Sequence, residues 1–240
     1  MTQLIEILTA EEKEERSQLG RKKLAGIFIS LAMGQMSDHP AFLNAILMRL
    51  KIKEEESVGT AGVDNLGNLY YSPLWFAGLP EKEIYGVLLH ETMHILLEHV
   101  NRGKSQGFNP QIHNIATDAM INARLIKEKY SLPNGGINTQ KGKKIPVEEH
   151  ETTEEIYHRI YEEEKKQMEK DKGQGQGGEG EESENSQGGD AEGNKGTHKE
   201  WSKEDLSNGQ TAKKMIEKAA KEVAEQSLNN NFDYCKKGSP

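Results

Sequence analysis

The stretch IYGVLLHETMHILL, residues 84–97, decides the fold, because it is almost wholly apolar and yet carries two histidines and a glutamate. A helix with this profile is buried on most of its sides. Pro80 followed by Glu81 is typical of a helix start, and Gly103 is typical of the residue just beyond a helix end. We therefore predict one buried helix over about residues 80–102.

Residues 90–94 in this stretch read His-Glu-Thr-Met-His, the HExxH pattern. On a helix, His90 and His94 lie one turn apart on one face, so both imidazoles can reach a single metal ion, and neutral imidazoles suit Zn²⁺. Glu91 lies beside them, where it can take a proton from a metal-bound water. Burying these groups is unfavourable unless they are paired or bind a metal, so we favour one zinc ion per chain over hydrogen-bonded core histidines.

The third ligand is expected from the next helix, predicted over about residues 110–130. His94 lies eight residues before the predicted helix end at Arg102, and Asp118 lies eight residues after Pro110. Each interval is roughly 12 Å of helix. If the loop between the two helices closes a hairpin, Asp118 returns to the level of His94 and becomes the third ligand.

Three alternatives to this assignment stay open at the sequence level. The polar stripe formed by Asn114, Asp118 and Asn122 can instead be a solvent-facing side of the helix. His99 lies on the opposite face of a continuous helix from His90, so it can be a ligand only if the helix breaks early. Glu98 is better aligned, but three ligands along one straight helix rarely converge on one ion.

The sequence of the rest of the first half predicts a helix and a β-hairpin. Thr9 and Glu12 form a capping-box pattern ahead of a predicted helix over about residues 10–33. Residues 58–63 and 69–71 flank a connection rich in turn-forming residues, which predicts a hairpin. The apolar run 41–50 fits either a helix or a strand.

Composition divides the chain, since 58 of the first 130 residues but only 23 of the last 110 are hydrophobic. The second half is too poor in apolar residues for another ordinary core. The predicted organisation is a core, a charged helix, a disordered acidic glycine-rich linker, and an amphipathic C-terminal helix followed by a tail. The apolar face of the C-terminal helix needs a partner surface, in this chain or in another. These four parts cover residues 1–147, 148–171, 172–199 and 200–240.

Charge and cysteine content narrow the classes of partner. The net charge is −8 and the pI is about 5.6, which argues against nucleic-acid binding. The longest apolar run, residues 24–33, is too short to cross a bilayer. A single cysteine, Cys235, is compatible with a reducing compartment. We expect a cytoplasmic protein with no nucleic-acid or membrane partner.

Four segments together resemble a known family: LLHETMHILLEHVNR (88–102), NIATDAMIN (114–122), GTAGVDNLGNLYYSP (59–73) and TEEIYHRI (153–160). They are similar to the metallopeptidase domain found ahead of von Willebrand factor A-like domains in bacterial and phage proteins. The resemblance implies an α+β, minimal zincin-like fold, with a small hairpin-containing sheet packed on the HExxH helix. It also implies zinc held by His90, His94 and Asp118, with Glu91 as general base, and an edge strand that can hold an extended peptide.

The leading functional prediction is a zinc-dependent peptidase that acts on a peptide or protein substrate. An oxyanion donor is also expected, and His99, Arg102 and Tyr85 are unranked candidates for it. The alternative is a non-catalytic, zinc-stabilised scaffold that works with a von Willebrand factor A-like domain or an ATPase. Glu91 argues against the scaffold, since a structural site needs ligands but no base.

Overall fold

The computed structural model describes residues 8–35, 40–173 and 213–225. Within these ranges the fold is α+β, as predicted, and no helix there has the length and apolar composition needed to cross a bilayer. The elements are α1 (Ala10–Ala32), α2 (Ala41–Leu47), β1 (Lys51–Glu54), β2 (Ala61–Val63), β3 (Asn68–Tyr71), α3 (Pro73–Ala77), α4 (Glu81–Leu96), α5 (His99–Ser105), α6 (Pro110–Lys127), α7 (Thr153–Gly173) and α8 (residues 213–225).

The start of α1 confirms the capping box. The Thr9 hydroxyl accepts a hydrogen bond from the Glu12 backbone N–H, and the Glu12 carboxylate accepts one from the Thr9 backbone N–H. The ambiguous run 41–50 forms the short helix α2 and a turn that leads into β1.

The predicted hairpin is present as β2 and β3, which pair antiparallel with Val63 opposite Leu69. Its turn is fixed by Asp64, whose carboxylate accepts hydrogen bonds from the backbone N–H groups of Leu66 and Asn68, from the Asn68 side chain and from the Tyr70 hydroxyl. The first strand is shorter than predicted, because residues 56–58 form a 3₁₀ turn. The strand β1, not predicted from the sequence, pairs parallel with β3, so the sheet order is β1-β3-β2.

Helix α4 is the buried centre of the fold, and it contacts both β2 and α6. Gly86, one turn before His90, lets the backbone of the segment after α6 pass very close. A Cβ added at Gly86 would lie only 2.0 Å from the carbonyl oxygen of Ser131. The close approach is therefore possible only for glycine.

The prediction of a single helix over residues 80–102 is wrong. Helix α4 ends at Leu96, and Glu98 takes a left-handed conformation (φ 51°, ψ 33°) before α5 begins at His99. The Arg102 guanidinium donates a hydrogen bond of 3.2 Å to the Leu97 carbonyl, which the break leaves without its helical partner. Gly103 does not end a helix either, as it lies inside α5 where a Cβ would meet the ring of His113.

The second half of the chain contains the charged helix α7 and the C-terminal helix α8. Helix α7 starts after the capping box formed by Thr152 and Glu155 and extends through residue 173. Residues 213–225 are helical and dock on this chain's own core, with Ala219 fully buried and Glu222 paired with Arg49. Residues 174–199 of the predicted linker, residues 200–212, the predicted tail 226–240 and Cys235 lie outside the described residues.

Candidate metal centre

Helices α4 and α6 bring three ligand-type side chains together at one point. The Nε2 atoms of His90 and His94 lie 2.9 Å apart, and Asp118 Oδ1 lies 3.4 Å from the first and 3.3 Å from the second. Among the described residues, this is the cluster of histidine, cysteine and acidic side chains with the spacing of a metal site. The sequence therefore identified the three residues that meet.

The cluster fits a zinc ion by its donors and by its spacing. Tetrahedral ligands at zinc distances of 2.0–2.1 Å are separated from one another by about 3.3 Å. The two distances to Asp118 match this value, and the two Nε2 atoms lie somewhat closer together, at 2.9 Å. Three protein ligands would leave the fourth position of a tetrahedral zinc ion open. The His90 and Asp118 side chains are 13% and 12% exposed while that of His94 is 2% exposed, so the cluster opens on the side of His90 and Asp118.

Asn122 orients His90. The Nδ1 atom of His90 lies 2.8 Å from Asn122 Oδ1, which requires the proton on Nδ1 and leaves the Nε2 lone pair directed at the cluster. Asn122 is held in turn because its amide nitrogen donates to the Ile137 carbonyl at 2.8 Å. The solvent-face alternative for the polar stripe is wrong at both Asp118 and Asn122, which are buried.

His99 and Glu98, the rival third ligands, are not part of the cluster. The helix break does place His99 near the site, but its Nδ1 lies 3.2 Å from Nδ1 of His94, on the edge of that ring opposite the cluster. The Nε2 atom of His99 lies 3.3 Å from the Thr153 hydroxyl. Burial, with help from the neighbouring His94, His113 and Arg102, lowers the pKa of His99 and keeps its ring neutral.

Electrostatics at the cluster favour a cation at His90. Burial lowers the pKa of His90, but the hydrogen bond and charge of Asp118, the charge of Glu91 and the contact with Asn122 outweigh burial and raise the pKa to about 9. Two carboxylates therefore act on one imidazole ring. The same negative field that retains a proton here also attracts a divalent metal ion.

Glu91 is buried beside the cluster, with 5% of its surface exposed. Its charge is one of the causes of the raised His90 pKa, so its carboxylate lies within electrostatic range of the ligand atoms. Glu91 is therefore a buried carboxylate beside the cluster, close enough to influence it electrostatically.

The three candidate oxyanion donors are all engaged elsewhere in the structure. The Tyr85 hydroxyl donates to Asn44 Oδ1 at 2.7 Å, and the Arg102 guanidinium binds the Glu154 carboxylate. His99 lies behind His94, away from the open side of the cluster.

A family model described as "Putative metallopeptidase domain" matches residues 29–231, which is most of the chain. The chain belongs to this family. No curated protein and no solved structure matches it. The metallopeptidase-domain match includes α4 and α6, and hence His90, His94 and Asp118.

Two residues of this metallopeptidase-domain chain that contact histidine rings at or beside the cluster, Asn122 and Thr153, were not predicted to do so. Asn122 belongs to the polar stripe, and its spacing of one turn after Asp118 is the signal that could have identified it. Thr153 has no such signal, since it lies 54 residues from His99 and reaches the site only through the packing of α7.

Proposed function

We propose that the protein is a zinc-dependent peptidase in which His90, His94 and Asp118 bind the metal and Glu91 is the general base. One observation carries the proposal: the convergence of His90 Nε2, His94 Nε2 and Asp118 Oδ1 at zinc-ligand spacing, with a buried glutamate beside them. The family description supports the choice of peptide bonds among the bonds that such a site can hydrolyse.

The chemistry divides between the metal and this chain's residues. Zinc, when bound, supplies a Lewis acid that polarises a scissile carbonyl and lowers the pKa of water. Glu91 takes the proton of the attacking water and delivers it to the leaving amine. Asn122 keeps the His90 lone pair directed at the ligand position, so the ring does not rotate during turnover.

The substrate and any partner belong to the same proposal. We expect an extended peptide to enter from the side of His90 and Asp118, whose side chains are less deeply buried than that of His94. A von Willebrand factor A-like or ATPase partner fits an activity that is delivered to selected protein substrates. The docking of α8 on this chain's own core supports the peptidase over the scaffold, because α8 already has a partner surface.

The test combines turnover with metal content. Zinc-loaded protein is incubated with a quenched fluorogenic peptide library, and zinc per chain is measured by elemental mass spectrometry. Glu91→Gln should lower the rate of hydrolysis by about 10²–10⁴-fold, because proton transfer is lost, while one zinc per chain remains. His94→Ala should lose both zinc and hydrolysis.

Glu81→Gln is the matched control, since Glu81 is an exposed residue in the first turn of the same helix. It should leave rate and zinc content unchanged. Hydrolysis that persists at the wild-type rate in Glu91→Gln would show that Glu91 is not the base. Zinc-loaded wild-type protein that cleaves none of the library would favour the scaffold function.

A further inference from the structure

His94, the second of the proposed metal ligands, contacts another histidine through the ring nitrogen that faces away from the cluster. Its Nδ1 lies 3.2 Å from Nδ1 of His99, and the two rings are nearly perpendicular, at 77°. A histidine that binds a metal through Nε2 keeps its proton on Nδ1 and donates it to a neighbour. His99 Nδ1 must therefore accept this hydrogen bond.

The contacts that join His94, His99 and Thr153 allow one consistent set of proton positions. If His99 accepts at Nδ1, its own proton lies on Nε2, the atom that faces the Thr153 hydroxyl at 3.3 Å. His94, His99 and Thr153 are 2%, 1% and 2% exposed, so water cannot replace any of the three groups. The orientation of His94 thus depends on protein groups alone.

The first turn of α7 is fastened to α5, which sets the position of Thr153. The Glu154 carboxylate accepts hydrogen bonds from Arg102 in α5 and from Gln106 Nε2 at 3.2 Å. Burial opposes ionisation of Glu154, but the hydrogen bonds from Arg102 outweigh it and lower the pKa of that carboxyl. A third contact, from the Asn109 backbone N–H to the Tyr157 hydroxyl at 2.8 Å, adds to the attachment.

We propose that His99 is a positioning residue that holds His94 with Nε2 directed at the metal, and that Thr153 of α7 holds His99 in the same way. The inference rests on the proposed zinc site and deepens it. The inference also explains the left-handed conformation of Glu98. Because the helix breaks there, the side chain of His99, five residues after His94, can contact the ring of His94.

The experiment measures zinc affinity by competition with a chromophoric chelator in full-length protein, with thermal unfolding in EDTA to verify folding. His99→Phe removes the acceptor but keeps an aromatic ring, and it should weaken zinc binding about 10–100-fold. His99→Gln returns an acceptor oxygen and should recover most of the loss. The absorption spectrum of the Co²⁺-substituted protein should change in His99→Phe and be restored in His99→Gln, which a merely structural role does not predict.

Thr153 supplies a second, milder pair of variants should His99→Phe fail to fold. Thr153→Val removes the hydroxyl at constant shape and should weaken zinc binding several-fold, whereas Thr153→Ser should match the wild type. Folded His99→Phe, or in its absence Thr153→Val, with wild-type zinc affinity would overturn the inference. The expected affinity pattern without any peptide hydrolysis would instead overturn the peptidase proposal alone.

Discussion

At the scale of single residues, His90 is the group whose protonation competes with metal binding. Its pKa is about 9 in the folded, metal-free protein and about 6.5 in an unfolded chain. Because the folded pKa is the higher one, protonated His90 stabilises the fold fully below pH 6.5, and this contribution is lost as the pH rises through 9.

We therefore expect the Tm of EDTA-treated protein to fall by several degrees between pH 6.5 and pH 9, measured by circular dichroism. The opposite trend is expected for zinc binding, which should tighten over the same interval because the metal displaces the His90 proton. His90→Gln should flatten the pH dependence of Tm in EDTA. A Tm that is level from pH 6.5 to 9 in the wild type would contradict the raised pKa.

The candidate ligands could be predicted because their chemistry is local. Two histidines at a spacing of four residues share a helix face wherever that helix lies. Asp118 was also identified, although the reasoning assumed a continuous helix that the structure does not have. Asp118 still lies beside His94 because α4 and α6 pack side by side even though the chain between them bends at Glu98.

At the scale of elements, the packing of α4 depends on Gly86. A Cβ at this position would meet the Ser131 carbonyl oxygen at 2.0 Å, so backbone must move. We expect Gly86→Ala to lower the free energy of unfolding by about 1–3 kcal/mol, in the range of overpacked cores. Urea denaturation followed by circular dichroism measures the change.

Gly26 in α1 is the matched control for Gly86, because it is also a helical glycine but has no atom within 4 Å of an added Cβ. Gly26→Ala should stabilise the protein by about 0.5–1 kcal/mol, as expected from helix propensity. Equal changes in the two variants would mean that the close approach at Ser131 has no energetic consequence.

The elements that the sequence did not predict are those set by tertiary contacts. The run 41–50 is apolar enough for either state, and the structure divides it between α2 and the approach to β1. Strand β1 is exposed along its length and has no alternating pattern. It exists because β3 offers a parallel partner, which a local pattern does not reveal.

At the scale of the whole molecule, α8 docks on the core, where Glu222 pairs with Arg49 near the start of β1. Ala219 is fully buried, whereas its neighbour Ala220 is exposed. Ala219→Glu would place a carboxylate among apolar groups, so the helix should leave the core. Hydrogen exchange of full-length protein should then show loss of amide protection over residues 213–225.

Ala220→Glu introduces the same charge one position later and should keep the wild-type protection. Comparable protection in the two variants would show that the burial of Ala219 does not hold α8 in place. The amphipathic pattern of the sequence predicted this helix. It did not predict that the partner surface lies in this chain, because an apolar helix face can pack on its own chain or on another protein.

The line from His94 through His99 to Thr153 also bears on the order of events during synthesis. The three ligands have all left the ribosome once residue 118 emerges, but the hydroxyl that fixes His99 follows 35 residues later, at position 153. A nascent chain that ends between residues 118 and 153 contains all three proposed ligands. It lacks Thr153, the residue that is proposed to hold His94 through His99. On the proposed assignment, the zinc affinity of the nascent chain is therefore expected to rise several-fold once α7 has begun to form.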